Sequence, residues 1–299
     1  MGYLLLAFSL LTGATKGFCG KKTSSYTARM FDAVCANLLR MLLCIVIGFA
    51  LVAATGALPS LAVDGRVLAI SLLSGVSTSV FVVSWLFAVQ RGAYMMLDVF
   101  SMLGMTVPIL GSLICFNEVV RPTQCAGILI ILAASLVMCS YNNSIKTKLS
   151  VGSILLLLLC GFSSGTIDFS QKLFSKYSGG VPTSVFNFYT YVVSFIVLLV
   201  CIPLLKPKEA SPIREAAKTL KPIFGYIFVM ATCLFLNSYT KTLAAGYDYL
   251  PSAVLYPLTW GASLVLSTAM SAVFFKEKLT VKSVIGVLLA FAGAVTVNL

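Results

Sequence analysis

The sequence predicts an all-α membrane protein with ten transmembrane helices arranged as two inverted five-helix repeats. Three observations lead there. The first is composition: 59% of residues are hydrophobic, 10% are charged and the mean hydropathy is +1.01, whereas a soluble domain carries roughly 25% charged residues. The second is the presence of ten apolar runs, each long enough for a hydrocarbon core of roughly 30 Å, which takes about 20 helical residues. The third is an internal echo. Pro108 to Val137 laid on Ser267 to Thr296 without a gap pairs Ser112 with Ser271, Phe116 with Phe275, Glu118 with Glu277, Gly127 with Gly286, Leu129 with Leu288 and Ala133 with Ala292. Each copy reads as an apolar run, a charged reversal holding one Glu, and a second apolar run, which is a helical hairpin written twice.

The runs fall in order. MGYLLLAFSLLTGATKGFC has neither the basic start nor the small-x-small cleavage site of a signal sequence, so 2–20 is the first membrane helix. The others span 33–56, 67–89, 94–116, 122–140, 151–173, 184–205, 223–244, 250–274 and 280–298. The polar, turn-rich stretch YNNSIKTKLS after Cys139 is the seam between a first repeat, 1–145, and a second, 146–299. The long connection 206–222 carries three prolines and alternating charge, as expected of a solvated link with a short amphipathic helix.

Five helices per repeat is an odd number, so the second repeat enters the bilayer from the opposite face and the two are inverted. Fourteen of the 21 Lys and Arg fall in odd-numbered connections and five, Arg66, Arg121, Lys172, Lys176 and Lys241, in even-numbered ones. By the positive-inside rule the odd connections are cytoplasmic and both termini face out. This placement also accounts for the net charge of +12 without nucleic acid. The nine cysteines lie mainly in apolar runs with no CxxC spacing, so no disulfide, metal site or cofactor is expected. The absence of histidine removes the usual general base.

Ten helices, a five-plus-five repeat, and Glu118 and Glu277 closing the fourth and ninth helices resemble the drug/metabolite transporter superfamily, in particular its EamA-type branch. Asn37-Leu-Leu-Arg40 is similar to that family's Arg-containing second helix, and Phe87-Ala-Val-Gln-Arg-Gly-Ala93 to its turn between helices three and four. The resemblance implies a multi-pass transporter of a bacterial cytoplasmic (inner) membrane. It also implies cytoplasmic termini, opposite to the charge count. Pro108 and Pro257 stand at distances from their glutamates that differ from the family's mid-helix prolines.

Ionisable groups at membrane depth are costly and are functional candidates by default. Here they are Lys16, Arg40, Asp98, Asp168 and Lys241. At about 1.5 Å per residue, Lys16 and Arg40 lie about 9–10 Å below the face of the odd connections, with Asp98 at similar depth, and Asp168 and Lys241 lie within about 5 Å of the other. Lys16 and Asp168 hold equivalent places when Gly13 is laid on Gly165, yet inversion separates them by roughly 15 Å in depth, so they do not pair. The expected groupings are Lys16 and Arg40 with Asp98, and Asp168 with Lys241, each closing one mouth of a central cavity in turn. The alternative for Asp98, Asp168 and Lys241 is solvation at the interface.

Glu118 and Glu277 each end a helix beside a basic group, Arg121 or Lys276 and Lys278, and are expected to close turns. Trp85, Asn187, Tyr189, Asn237, Tyr256 and Trp260 are polar-edged residues suited to orienting a ligand among apolar walls, or equally to packing in the core. Met95, Met96, Met102 and Met105 would suit a varied apolar ligand, with gap filling the commoner use. Gly161-Phe-Ser-Ser-Gly165 permits close helix approach.

These features favour a secondary transporter of a small metabolite, amino acid or drug-like molecule, working by alternating access as exporter or exchanger. Its partners would be that solute and the lipid bilayer, without nucleic acid, and a homodimer is compatible with the sequence. The alternatives are a membrane channel or an intramembrane enzyme. No Walker motif indicates ATP, and no Ser-Lys or paired Asp arrangement indicates catalysis. Coupling to protons would place Asp168 as acceptor.

Overall fold

Apolar runs of this length form helices because a lipid-facing backbone must satisfy its own N–H and C=O groups. The computed structural model describes residues 1–27, 29–90, 101–141, 151–205, 212–275 and 281–297, and among them regular structure is helical throughout. The ten long helices are α1 Gly2–Ser24, α2 Met30–Ala54, α3 Gly65–Gln90, α4 Thr106–Phe116, α5 Pro122–Tyr141, α6 Val151–Tyr177, α7 Thr183–Leu205, α8 Phe224–Ala245, α9 Ser252–Phe275 and α10 Val281–Val297. A short helix, Pro212–Leu220, links α7 to α8. Six helical stretches are long and apolar enough to cross a membrane, and Ser101–Phe116, Pro122–Ala134 and Val284–Val297 are shorter apolar stretches.

Local chemistry sets the ends. Asp64 Oδ1 accepts the Val67 N–H at 2.9 Å and caps α3, while Gln124 Oε1 accepts the Arg121 N–H at 2.9 Å ahead of α5. Asn117 ends α4 in the left-handed region at φ 52°, and both its N–H and that of Glu118 turn back to the Ser112 carbonyl. At the start of α4, Pro108 has no N–H for the Gly104 carbonyl four residues back. That carbonyl accepts the Val107 N–H at 3.0 Å instead, so the chain tightens across Gly104 before α4 proper begins.

The burial pattern is turned inside out relative to a soluble domain. Leu11, Val46, Phe49, Ile114, Leu129, Phe162, Val200, Leu288 and Phe291 are exposed, whereas Ser9, Asn37, Ser79, Asp168, Gln171, Asn187 and Ser194 are buried. Apolar outer faces suit lipid, and the buried polar groups pair between helices, as Ser79 does with Ser194 at 2.9 Å.

The main helix contacts are α5 with α10, α1 with α8, α3 with α6, α2 with α7, α3 with α7, α9 with α10, α2 with α8, α4 with α6 and α1 with α9. The α4–α6 contact is the tightest kind. A Cβ added to Gly165 would stand 2.1 Å from the Gly104 carbonyl oxygen, and one added to Gly104 would stand 2.2 Å from that of Gly161. Glycine is needed there because two backbones touch. Met102 and Met105 are fully buried in the core with Ile109, Ile131 and Leu255, which is gap filling; Met95 and Met96 lie outside the described residues.

α1 continues to Ser24 and α6 to Tyr177, each four residues past its run, and α8 ends at Ala245, one past; Lys172 and Lys241, counted with the connections although they fall inside the runs 151–173 and 223–244, are helical and buried. Asp168 consequently lies nine residues, about 14 Å, from the end of α6 rather than within about 5 Å of it. The misplacement arises because the polar run Asp-Phe-Ser-Gln-Lys reads as a helix end in sequence, while in the fold it is buried, with Asp168 held by α8 and α9 and Gln171 Nε2 by Ser238 of α8.

Candidate functional site

The site grows from α1 and α8, which run antiparallel with small or polar residues at their contact. Asn237 Nδ2 donates to the Ser9 carbonyl at 2.6 Å and to Ser9 Oγ at 2.9 Å, and Gly13 leaves room for the amide. The clasp borders a void. A cavity of about 100 Å³ opens there, lined from α1 by Ser9, Leu10, Gly13, Ala14, Lys16 and Gly17, from α3 by Phe81 and Trp85, from α8 by Asn237 and Lys241, and from α9 by Thr259, Trp260 and Ser263, with Ser101 completing it.

At one end, Lys241 Nζ donates to Asp168 Oδ1 at 2.5 Å. Trp260 Nε1 donates to Asp168 Oδ2 at 3.0 Å, the Tyr256 hydroxyl donates to the Asp168 main-chain carbonyl at 2.8 Å, and the Lys241 ammonium lies 5.7 Å from the Trp260 ring centre. Asp168 is thus clamped by α8 and α9, and it stands behind Lys241 and Trp260 rather than in the cavity wall.

At the other end the Lys16 ammonium lies 5.9 Å from the centre of the Phe81 ring. Lys16, Phe81 and Trp85 are shared with an annex of about 20 Å³ completed by Arg40, Val82 and Met230, a space for one water. Arg40 is buried, and its Nε has no hydrogen-bond partner among the described residues. Counting from the Ser9–Asn237 clasp, Lys16 and Lys241 are about 16 Å apart along the helix axes, so the two ends are separate and one cavity joins them.

The remaining candidates do other things. Asn187 Oδ1 accepts from Ser238 Oγ at 2.7 Å, Ser238 Oγ accepts from Gln171 Nε2 at 3.1 Å, and the chain of bonds ties α6, α7 and α8 outside the cavity. The Tyr189 hydroxyl donates to the Leu61 carbonyl at 2.7 Å, fixing α7 to the turn before α3. Tyr256 is fully buried and braces Asp168 without facing the cavity.

Asp98 and Glu277 lie outside the described residues. Glu118 closes its turn with partners other than the expected Arg121. Lys172 Nζ of α6 stands 2.9 Å from Oε1, the Ser252 N–H at the head of α9 donates to Oε2 at 2.9 Å, and Ser252 Oγ meets Ser112 Oγ at 2.6 Å. Arg121 is exposed, whereas Lys172 is buried and has greater need of a partner. Burial alone would push the Glu118 carboxyl up, but the bonds from Lys172 and Ser252 outweigh it and hold the carboxyl below its ordinary value.

Sequence reasoning passed over Ser9, Phe81, Thr259 and Ser263 as lining residues. Small hydroxyls and a lone Phe carry no signal in apolar runs, although Ser9 stands four residues before Gly13 as Gly161 does before Gly165.

Residues 151–299 match the family model described as "EamA-like transporter family". No curated protein matches the sequence. A crystal structure described only as "Crystal structure of protein" has a TM-score of 0.74 to this chain at 16% identity, over 99% of this chain and 95% of that one. That likeness is one of fold.

Proposed function

Because the chain belongs to the EamA-like transporter family, an integral multi-pass membrane family of transporters, we propose that it carries a small molecule through the cavity between α1, α3, α8 and α9 by alternating access. The carrying observation is that this cavity, lined by two lysines, an asparagine and three aromatic rings, lies between helices of both halves of the chain. Such mixed walls suit an oriented small ligand.

The inverted-repeat reading, 1–145 against 146–299, has support in the helix contacts. Exchanging α1 to α5 with α6 to α10 turns the α1–α8 contact into α6–α3, α3–α7 into α8–α2 and α4–α6 into α9–α1, all of them present, and leaves α5–α10 and α2–α7 unchanged; the α9–α10 contact has no comparable α4–α5 counterpart among the described residues. One equivalent pair differs in a way that fits alternating access. Gly161 and Gly165 are pressed against Gly104, whereas Ser9, Gly13 and Ser263, their counterparts under the two sequence registers, border the cavity. One seam is closed and its mirror is open, as expected of a carrier caught facing one side.

In this reading Lys241 and Asp168 guard one end and Lys16 and Arg40 the other. Trp85, Asn237 and Trp260 contact solute, the direction is export or exchange, and the location is a bacterial inner membrane. Flux into proteoliposomes decides between classes. Saturable flux accelerated by trans solute is expected of a carrier, with thermal-shift screening of metabolite pools supplying the solute. Ohmic current would replace this reading with a channel, and product formation with an enzyme.

A further inference from the structure

We infer that the transported solute is a small organic anion, whose oxyanion head lies between Lys16 and Arg40 and whose apolar body lies along Phe81, Trp85 and Trp260. This rests on the carrier reading above and names its substrate class.

The argument is one of charge accounting. Lys241 brings no net charge to the cavity, because Asp168 neutralises it at 2.5 Å. Lys16 makes no ion pair or hydrogen bond among the described residues; it lies 5.9 Å from the Phe81 ring centre and feels Arg40, Lys241 and Asp168 at longer range. Arg40, 4% exposed, leaves Nε unbonded beside the annex that Lys16 also lines. Buried charges are paired or neutralised, and a guanidinium cannot give up its proton.

An internal partner is not at hand among the described carboxylates. Asp32 holds Arg29, Asp64 caps α3, Glu118 holds Lys172, Asp168 holds Lys241, Glu215 holds Lys218 and Asp248 holds Lys176. The two uncompensated cations therefore call for a negative group brought from outside. Arginine's planar fork matches the two oxygens of a carboxylate or a phosphate, and the lysine adds a point charge. The three aromatic rings exclude water from the rest of the solute and favour an apolar body over a bare inorganic ion.

The test is thermal stability of the full-length protein in neutral detergent with benzoate, inorganic phosphate, benzamide or chloride at matched ionic strength. Benzoate should raise Tm saturably while benzamide and chloride do not; a larger rise with phosphate would assign a phosphate head instead of a carboxylate. The apparent affinity should fall at least about tenfold, equivalent to 1.4 kcal/mol, in Lys16→Gln and in Arg40→Gln, and hold in the exposed Lys218→Gln. Lys16→Gln alone is decisive where Arg40→Gln does not fold. Equal shifts with chloride and benzoate, shifts untouched by either substitution, or an anion response that emerges only in Asp98→Asn would each overturn the assignment. Saturable uptake of a neutral or cationic solute without anion protection would overturn it and leave the carrier intact, whereas anion stabilisation without flux would retire the carrier and leave the anion site.

Discussion

Asp168 of α6 and Lys241 of α8 form a buried ion pair at 2.5 Å, with the second carboxylate oxygen held by Trp260 of α9 at 3.0 Å. Three helices of the second half thus meet on one carboxylate, and the lysine that reaches it also forms cavity wall.

Removing one partner leaves the other charge buried. Asp168→Asn should destabilise the detergent-purified protein by about 3–5 kcal/mol and alter transport without abolishing membrane insertion. The double variant Asp168→Asn, Lys241→Met should recover much of that loss, because no unpaired charge remains. A double-mutant cycle on thermal stability checks it, and additive losses would show that the pair is not coupled.

Gly165→Ala places a methyl 2.1 Å from the Gly104 carbonyl oxygen. Backbone cannot yield as a side chain can, so the α4–α6 seam must part. The expected result is a cost of about 1–3 kcal/mol and transport cut severalfold, since the seam that must close and reopen can no longer close. Flux near the parent rate would mean that this contact is not part of the cycle.

Glu118 sets a pH window. A carboxyl held below its ordinary value contributes stability that is fully present above that value and lost as pH falls through the folded one. Tm should therefore decline below about pH 4.3. Glu118→Gln should lower Tm at neutral pH by an amount matching about 3 kcal/mol, since Lys172 is left buried without its partner, and flatten the acid slope. Parallel Tm profiles for parent and variant would exclude the Glu118–Lys172 pair as the source.

Tyr189 and Trp85 separate scaffold from site. Tyr189→Phe removes one hydrogen bond to Leu61, worth about 1 kcal/mol, and should leave apparent solute affinity unchanged. Trp85→Ala removes an aromatic wall and should weaken that affinity about tenfold or more. Equal effects on affinity would mean that the cavity is not where solute binds.

The sequence by itself determined the class and the helices. Lipid demands long apolar runs whose backbone is self-satisfied, and that demand is written residue by residue. Depth counting grouped Lys241 with Asp168, which do pair, but set Asp168 within about 5 Å of a helix end from which α6 holds it about 14 Å away. Tertiary structure alone decided which neighbour each polar group uses. Glu118 turned to Lys172 rather than nearby Arg121, Asn187 and Tyr189 went to the scaffold, and Ser9, Phe81 and Ser263 became cavity wall. Those choices depend on the rotation and spacing of whole helices, set by contacts such as Gly104 on Gly165 between residues 61 positions apart.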